Sequence, residues 1–183
     1  ASRAVGGANE EAYLMGVAST LSRLSAECRG AEAGGALRTA MRAFRERHRK
    51  DSGARFPLRA IAMALKPGGG FAAHDHRDYN GVIMGLEGEV RIRNYEILGD
   101  DPLPPKGKAF DIRETVDRVV RPGRISTLGR QRDNIHDLVA GPAGARVLDV
   151  FTFYAKDAGS HYLEVDTRAV DEQRRVYRAT WKG

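Results

Sequence analysis

The chain contains the stretch Gly68-Gly69-Gly70-Phe71-Ala72-Ala73-His74-Asp75-His76, which ends in two histidines one residue apart. Side chains alternate between the two faces of a β-strand, so His74 and His76 on a strand would point the same way. A third histidine, His136, lies near the start of another apolar run. Three neutral imidazoles that converge inside a small barrel would bind a divalent metal of borderline softness. The sequence therefore predicts a metal site made of these three histidines.

The overall composition is that of a globular protein. Of the 183 residues, 42% are hydrophobic and 30% are charged, proportions that are typical of soluble domains. We expect a single domain over residues 1–183, because a chain of this length usually folds as one unit. No apolar run approaches the roughly 20 residues that a membrane helix needs, and the N-terminus lacks the pattern of a secretory signal peptide. We therefore expect no membrane partner.

Cysteine is used once, at Cys28. A single cysteine excludes an intrachain disulfide and suits a reducing compartment, so we expect a cytoplasmic location. It also excludes a cysteine-rich zinc site, so any metal ligands must be histidines or carboxylates.

The formal net charge of +6 raises the question of an acidic partner. Many of the basic residues fall on one predicted helix: Arg38, Arg42, Arg45, Arg47, Arg49 and Lys50. No nucleic-acid motif accompanies them. A solvated helix face is the favoured interpretation, and we expect no nucleic-acid partner.

Two helical patterns occupy the N-terminal part of the chain. Asn9 can cap a first helix whose first turn carries Glu10 and Glu11, which are favourable near the positive end of the helix dipole. Its apolar positions step by three and four residues: Leu14, Val17, Leu21, Leu24 and Cys28. A second pattern places four residues on one face: Leu37, Met41, Phe44 and His48. We predict a helical layer over residues 1–52 that packs on the rest of the domain.

From residue 56 onward the pattern changes to short β-runs separated by Gly, Pro and Asp. The predicted strands are residues 58–65, 81–86, 89–95, 135–140 and 145–153. Residues 100–108 are predicted to form a loop, because their prolines do not fit a central strand. Many short strands with turn signals favour a β-sandwich or barrel over residues 56–183.

The spacing of Gly68, the histidine pair, Gly81 and Gly88 resembles the first motif of the cupins. Cupins are jelly-roll barrels, or double-stranded β-helices, that hold a metal in the mouth. The resemblance therefore implies a mainly β cupin barrel with the helical layer in front of it. Most cupins carry a glutamate where this chain has Asn80-Gly81, and without that carboxylate the implied ligand set is the three histidines.

A three-histidine set is similar to that of the thiol dioxygenases, and particularly of the cysteamine dioxygenases and plant cysteine oxidases. The shared elements are the strand, turn and glycine over residues 81–90, the triplet Asn134-Ile135-His136, and the run Leu148-Asp149-Val150-Phe151. The resemblance covers roughly residues 56 to 166. It implies a non-haem Fe(II) enzyme that adds both atoms of O2 to a thiol and forms a sulfinate. The implied substrates are a small thiol such as cysteamine, or an N-terminal cysteine.

The ligand set explains why a thiol suits such a site. Three imidazoles leave the ion with its full positive charge, so an incoming thiolate can supply the anion that a carboxylate ligand would otherwise provide. Oxidation of the sulfur to a sulfinate needs no external reductant, because the thiol itself supplies the electrons.

Asp149 is a candidate catalytic residue, because a charge on an apolar strand is costly unless it is paired. The matching aspartate of the resembled enzymes lies in the active-site region, which suggests a position near a substrate amine. A buried structural hydrogen bond is the alternative. Tyr154 and Tyr162 are further catalytic candidates and Tyr79 is a candidate substrate contact, although core packing is the commoner role of a tyrosine.

Two polar residues near these candidates are expected to lie outside the site. Asp75 points away from the metal if the histidines beside it point inward, so a loop or rim position is favoured for it. His161 is expected to have a structural or rim role.

Three strand arginines are candidate anchors for a substrate carboxylate, because arginine binds carboxylates through two hydrogen bonds. Arg59 shares a predicted face with Ile61 and Met63, while Arg91 and Arg93 share a face after Gly88. An inward arginine would favour a thiol acid over cysteamine. The alternative for each is an exposed strand arginine.

Two other functions are compatible with the same residues. The first is a different cupin enzyme that uses Mn, Ni or Zn, since three histidines also suit a zinc-bound hydroxide. The second is a non-catalytic sensor or binding module. A monomer is favoured over an oligomer, and the expected partners are a thiol and O2.

Overall fold

The computed structural model describes residues 9–27, 39, 43, 58–101, 103–130, 132–155 and 158–182. The residues of the second helical pattern, including His48, therefore lie outside the described residues. Cys28 lies outside them as well. One helix and eight strands are described: α1 (Glu10–Glu27), β1 (Leu58–Leu65), β2 (Gly70–Asp75), β3 (Tyr79–Ile97), β4 (Phe110–Val120), β5 (Ile125–Leu128), β6 (Ile135–Phe153), β7 (Leu163–Asp171) and β8 (Val176–Trp181). Among the described residues, no helix is both long enough and apolar enough to cross a membrane.

The strands form one curled antiparallel sheet in the order β1-β6-β3-β4-β8-β7. Strand β2 also pairs with β6, and β5 also pairs with β3. The two long strands β3 and β6 pair with each other along most of their length and so form the spine of the barrel. The prediction of a mainly β barrel with an N-terminal helix is confirmed.

Each long strand corresponds to two predicted strands. The glycines that indicated turns at residues 88 and 144 lie instead within β3 and β6, at φ angles of 64° and 76°. A Cβ atom on Gly88 would lie 2.2 Å from the carbonyl oxygen of Gly144, so the two backbones approach closely. The register between β3 and β6 shifts beside Gly88. These irregularities bend the strands without ending them, as β-bulges do in barrels.

The inner face of the barrel is filled by apolar side chains that alternate along the strands. A buried cluster lies around Ile83, Ile92 and Leu138. The opposite face of β3 and β6 is covered by α1, whose Leu14 and Leu21 pack with a second cluster: Val82, Met84, Leu148 and Val150. The predicted apolar stripe of the first helix is therefore confirmed at its described positions.

The hairpin of β7 and β8 covers the other part of the outer face. Trp181 and Leu163 of this hairpin pack with Tyr95 and Ile135 of the central strands. The strands that carry the predicted metal ligands are consequently enclosed between the inner core and this outer layer.

Candidate metal centre

Strands β2 and β6 bring two of the predicted ligands together. His74 and His136 are direct cross-strand partners, so their side chains point to the same face. Gly70 at the start of β2 allows the two backbones to approach, because a Cβ atom there would lie 1.8 Å from the carbonyl oxygen of Leu138. The register shifts between Phe71 and His74, so β2 departs from the plain alternation that the sequence suggested.

His76 follows the end of β2 and joins the same cluster. Its backbone N–H donates to the carbonyl oxygen of Asn134, 2.9 Å away, which ties it to the segment before His136. The ring centroids of His76 and His136 lie 4.6 Å apart, and those of His74 and His136 also lie 4.6 Å apart. All three histidines are buried, and one ring nitrogen of each lies within 4.8 Å of the others. The structure thus brings the three predicted ligands together.

The spacing of the nitrogens fits a shared ion. The Nε2 atoms of His74 and His136 are 3.1 Å apart. Two nitrogens that each lie about 2.0–2.1 Å from one ion are separated by about 2.9–3.4 Å at ligand angles between octahedral and tetrahedral. The Nδ1 atom of His74 lies 2.8 Å from the carbonyl oxygen of Ala72. An N–H at Nδ1 would donate to that oxygen and leave the lone pair of Nε2 free for a metal.

The ring nitrogens of His76 give a second observation that fits a metal ion. Both of its ring nitrogens are buried, and neither has a hydrogen-bond partner among the described residues. Buried polar atoms are normally paired, because an unpaired one costs free energy. A metal ion would satisfy one of these nitrogens, so the residues present fit a metal.

The histidines are held in the neutral form that metal binding requires. Burial lowers the pKa of His74, although the carbonyl of Ala72 opposes the shift. Burial lowers the pKa values of His76 and His136 well below the ordinary value, and repulsion from the neighbouring imidazoles adds to the effect. Neutral imidazoles suit zinc, copper, iron and nickel.

A narrow cavity lies beside His76 and His136, and it is too tight to hold a water molecule. The other residues that line it are Gly81, Ile83, Ser126, Thr127, Leu128 and Asp149. The register places all of them except Thr127 in two layers on the inner face, with Gly81 opposite Leu128 and Ile83 opposite both Ser126 and Asp149. A substrate that reached the ion from this side would have to widen the cavity.

Gly81 is the reason that no carboxylate enters this space from β3. A Cβ atom on Gly81 would lie 3.7 Å from Nδ1 of His76 and 3.5 Å from Oδ1 of Asp149. It therefore points at the histidine cluster, at the position where the cupin resemblance implies a glutamate. Its neighbour Asn80 points to the opposite face, because its amide contacts Glu10 of α1.

Asp149 contributes a buried carboxyl group to the same cavity. Its Oδ1 atom has no hydrogen-bond partner among the described residues. Burial raises the pKa of this carboxyl well above its ordinary value, and the backbone N–H of Val150 opposes the shift only in part. On the inner face, Asp149 is paired with Ile83, one layer further from the histidines than Gly81. Its carboxyl group therefore faces the cavity but is not part of the three-histidine group.

Aromatic rings surround the histidines. The ring of Tyr79 stacks on that of His76 with a centroid distance of 4.1 Å, and its hydroxyl is hydrogen-bonded to Ser160. Burial raises the pKa of Tyr79 to about 12, so its hydroxyl keeps its proton. Tyr162 lies beside His74 at 5.3 Å, with 41% of its surface exposed, and Phe151 lies 6.0 Å from His76.

The structure does not bring Tyr154 to the cavity, which corrects its prediction as a catalytic residue. Its hydroxyl donates to Oε1 of Glu10 at 2.8 Å and also contacts Asn80. The ring of Tyr154 lies under the guanidinium of Arg130. It stands beyond the end of β6, where alternation along the strand no longer fixes its direction.

Two of the three predicted arginine anchors also lie away from the site. Arg91 is exposed and forms a two-bond ion pair with Asp117. Arg93 forms a similar pair with Asp137, the residue after His136 and therefore on the opposite face of β6. The face that these arginines share is the outer one, which corrects the prediction that they reach a substrate.

Arg59 has an intermediate position. It is the cross-strand partner of Phe151, so the register places it on the inner face of the barrel as predicted. Its side chain is exposed, however, and it does not line the cavity.

Asp75 points away from the cavity, as expected, but it is buried and not at the rim. It accepts hydrogen bonds from Arg77 and from the backbone and ring of His161. The rim prediction was wrong because the segment before β7 covers this part of the outer face.

Sequence reasoning missed two buried polar residues near the site. Asn94 is the cross-strand partner of His136, and strand alternation around residues 90–95 could have placed it on the inner face. Glu10 is buried and accepts hydrogen bonds from the backbone N–H of Arg130 and the amide of Asn80. No local signal predicts this, because an acidic residue in a first helical turn is ordinarily exposed.

Comparison with known proteins gives only weak structural similarities and leaves the activity open. The sequence matches no protein-family model and no curated protein. Among solved structures it is similar to oxalate oxidase, with 21% identity and a TM-score of 0.42 over 58% of this chain and 46% of the other. It therefore spans about half the length of that protein.

Two further similarities are of the same strength. KdgF from Halomonas sp. has 18% identity and a TM-score of 0.40 over 57% of this chain and 76% of the other. The 11S globulin from Wrightia tinctoria has 17% identity and a TM-score of 0.43 over 58% and 22%. All three are cupin-fold proteins, and at these values nothing about activity follows from the similarity. The three-histidine group itself suggests a metal-dependent enzyme.

Proposed function

We propose that this protein is a non-haem Fe(II) thiol dioxygenase. The observation that carries the proposal is the convergence of three buried neutral histidines beside Gly81, which supplies no carboxylate ligand. Such a site has an unbalanced positive charge once a divalent ion is bound, and a thiolate is the substrate group that balances it.

Fe(II) held by His74, His76 and His136 would lower the pKa of a substrate thiol and allow its reaction with O2. In the overall reaction, RSH and O2 give RSO2H, so the sulfur loses four electrons and the two oxygen atoms gain them. No other reductant is needed.

The remaining residues of the cavity bind and shield the substrate. The apolar side chains of Ile83 and Leu128 exclude water from the reacting sulfur. The unpartnered carboxyl oxygen of Asp149 faces the same space and would accept a hydrogen bond from a substrate amine. Tyr79 keeps its hydroxyl proton and holds the ring of His76 by stacking.

The polar groups of the cavity favour an aminothiol over a mercapto acid. No arginine lines the cavity among the described residues, whereas a carboxyl group does. A substrate ammonium beside Asp149 would favour the ionised form of its carboxyl and pair with it, whereas a substrate carboxylate would find no cation among the lining residues. Cysteamine, or the N-terminal cysteine of a peptide, therefore fits better than a thiol acid. Arg59, at the exposed end of the inner face, would contact only a longer substrate.

Oxygen uptake tests the proposal. Iron-reconstituted protein is mixed with cysteamine, cysteine, a mercapto acid and a peptide with N-terminal cysteine, and sulfinate is detected by mass spectrometry. We expect sulfinate from an aminothiol, and loss of both iron and activity in His136→Ala. Activity that persists without O2 or with zinc alone would contradict the proposal, as would iron retention with full activity in His136→Ala.

A further inference from the structure

We propose that the tripeptide Ser160-His161-Tyr162, here called the 160–162 strap, positions the histidine pair of the metal site. The strap precedes β7 and lies along the edge of β2 that is not paired with β6, where Tyr162 forms an antiparallel bridge with His74. His161 and Tyr162 contact that segment directly, whereas Ser160 contacts Tyr79, whose ring stacks on His76. The inference rests on the metal site of the proposed function, but not on its thiol chemistry.

His161 fixes the residue between the two ligands. Its backbone N–H donates to Oδ1 of Asp75 at 2.8 Å, and its ring Nδ1 lies 3.0 Å from the same oxygen. In return, the backbone N–H of Asp75 donates to the carbonyl oxygen of His161 at 3.0 Å. Arg77 donates to the other carboxyl oxygen at 2.6 Å, so both oxygens of this buried group have partners. The backbone between His74 and His76 is thereby fixed from the outer face.

Ser160 acts on His76 through a tyrosine. Its hydroxyl is hydrogen-bonded to the hydroxyl of Tyr79, whose ring stacks on His76 at an angle of 32°. A tyrosine ring fixed at its hydroxyl end has less freedom to tilt. Ser160 therefore limits the rotation of the His76 imidazole, which has no hydrogen-bond partner of its own.

Tyr162 acts on His74. The two residues form an isolated antiparallel β-bridge, and their rings are 5.3 Å apart at an angle of 35°. The half-exposed ring of Tyr162 therefore covers His74 on the solvent side. Together the three contacts hold both ligands of the pair, whereas His136 is held by the continuous pairing of β6 with its neighbours.

We expect these contacts to affect the affinity of the site for a metal ion. A metal site tolerates displacements of only about 0.5 Å in its ligands, so loosening the pair lowers metal affinity before it unfolds the barrel. The strap residues do not take part in the three-histidine group themselves. They are positioning residues, and their effect should appear in the affinity and geometry of a bound ion.

Co(II) is the probe, because its visible spectrum reports ligand geometry. Its affinity is measured without thiol, by competition with a chelator, for the wild type and for variants of the strap. His161→Phe removes the ring donor to Asp75, His161→Asn restores an N–H close to the position of Nδ1, and Ser160→Ala releases Tyr79. Asp117→Asn is the control, because it breaks an aspartate–arginine pair away from the ligands. Urea unfolding of each metal-free variant reports whether the fold is intact.

We expect His161→Phe to bind Co(II) about 10-fold more weakly, within the range for residues that orient metal ligands, and to shift its spectrum. His161→Asn and the control should bind within about threefold of the wild type. Wild-type affinity in His161→Phe, or an equal loss in His161→Asn, would overturn the proposal. If His161→Phe does not fold, wild-type affinity and spectrum in Ser160→Ala overturn it instead. A wild type that binds no Co(II) refutes the strap and the proposed function together, while strong binding without thiol oxidation refutes the proposed function alone.

Discussion

At the scale of single residues, the site depends on burying three imidazoles without charge. Burial lowers the pKa values of His74, His76 and His136 in the folded protein. In the unfolded chain each returns to an ordinary pKa near 6.5. The metal-free folded protein therefore carries groups that resist protonation, and its stability must depend on pH.

Below pH 6.5 the unfolded chain binds more protons than the folded protein, so lowering the pH reduces the free energy of unfolding. The reduction is up to about 1.4 kcal/mol per pH unit for each histidine. We expect His76→Gln to show a shallower pH dependence than the wild type between pH 6.5 and pH 5. Urea unfolding in the presence of a chelator measures both slopes. Parallel curves would mean that His76 is not buried in its neutral form.

Gly81 is the residue that separates this site from one with a carboxylate ligand. The nearest atoms to an added Cβ lie at 3.5 Å or more, which is ordinary van der Waals contact, so a side chain can be accommodated at its base. A glutamate there would supply the negative charge that, in our proposal, comes from the substrate thiolate.

We therefore expect Gly81→Glu to retain a bound metal and to lose thiol oxidation by at least about 100-fold, the cost of a misplaced or blocked reacting group. Gly81→Ala, which adds only the Cβ, is the matched control and should keep the metal. Metal content and sulfinate formation are measured on the same samples. Full thiol oxidation by the Gly81→Glu protein would argue against a thiolate at this position.

At the scale of elements, strand type was predictable and strand continuity was not. Alternating apolar residues indicated the β-segments that make up β3 and β6, and β1 has the predicted bounds of residues 58–65. The glycines at 88 and 144 looked like turns, because their local signal is the same for a turn and for a bulge. Only the pairing of β3 with β6, which joins residues distant in sequence, decides between the two.

The helix α1 shows a similar limit. Its apolar stripe was readable, but the role of Glu10 was not, because the groups that donate to it come from β3 and from the segment before β6. Glu10 is 7% exposed and connects the start of the helix to three separate parts of the barrel.

Replacing Glu10 by alanine should leave these donors unpaired. We expect Glu10→Ala to lower the free energy of unfolding by about 2–3 kcal/mol, the scale of hydrogen bonds to a charged group. Glu11→Ala removes an exposed carboxylate from the same helical turn and should change it by less than about 0.5 kcal/mol. Urea unfolding of the two metal-free variants gives the comparison. Equal effects would show that the buried contacts of Glu10 do not stabilise the fold.

At the scale of the whole molecule, several arginines in the described part of the chain form ion pairs on the outer face. Arg91, Arg93 and Arg178 each pair with an aspartate of a neighbouring strand. This pairing explains why Arg91 and Arg93 do not reach the site. The residue type indicated carboxylate recognition, but the carboxylates that they recognise belong to the protein itself.

The histidines of the site were predictable because spacing and strand alternation alone place them. Their surroundings were not, because the cavity is made by three strands and the residue after β2, and the outer contacts by a segment near residue 160. Tyr154 and Asp75 illustrate the difference, since each has a plausible local pattern and a partner more than 80 residues away.

The central claim is that both atoms of O2 pass to a thiol sulfur at the three-histidine site. The most direct test is a single-turnover reaction of the iron-loaded protein with cysteamine under oxygen-18 gas, followed by mass spectrometry of the product. We expect a sulfinate that carries two labelled oxygen atoms, and no such product from His74→Ala. A disulfide as the sole product, or a sulfinate with oxygen from water, would contradict it.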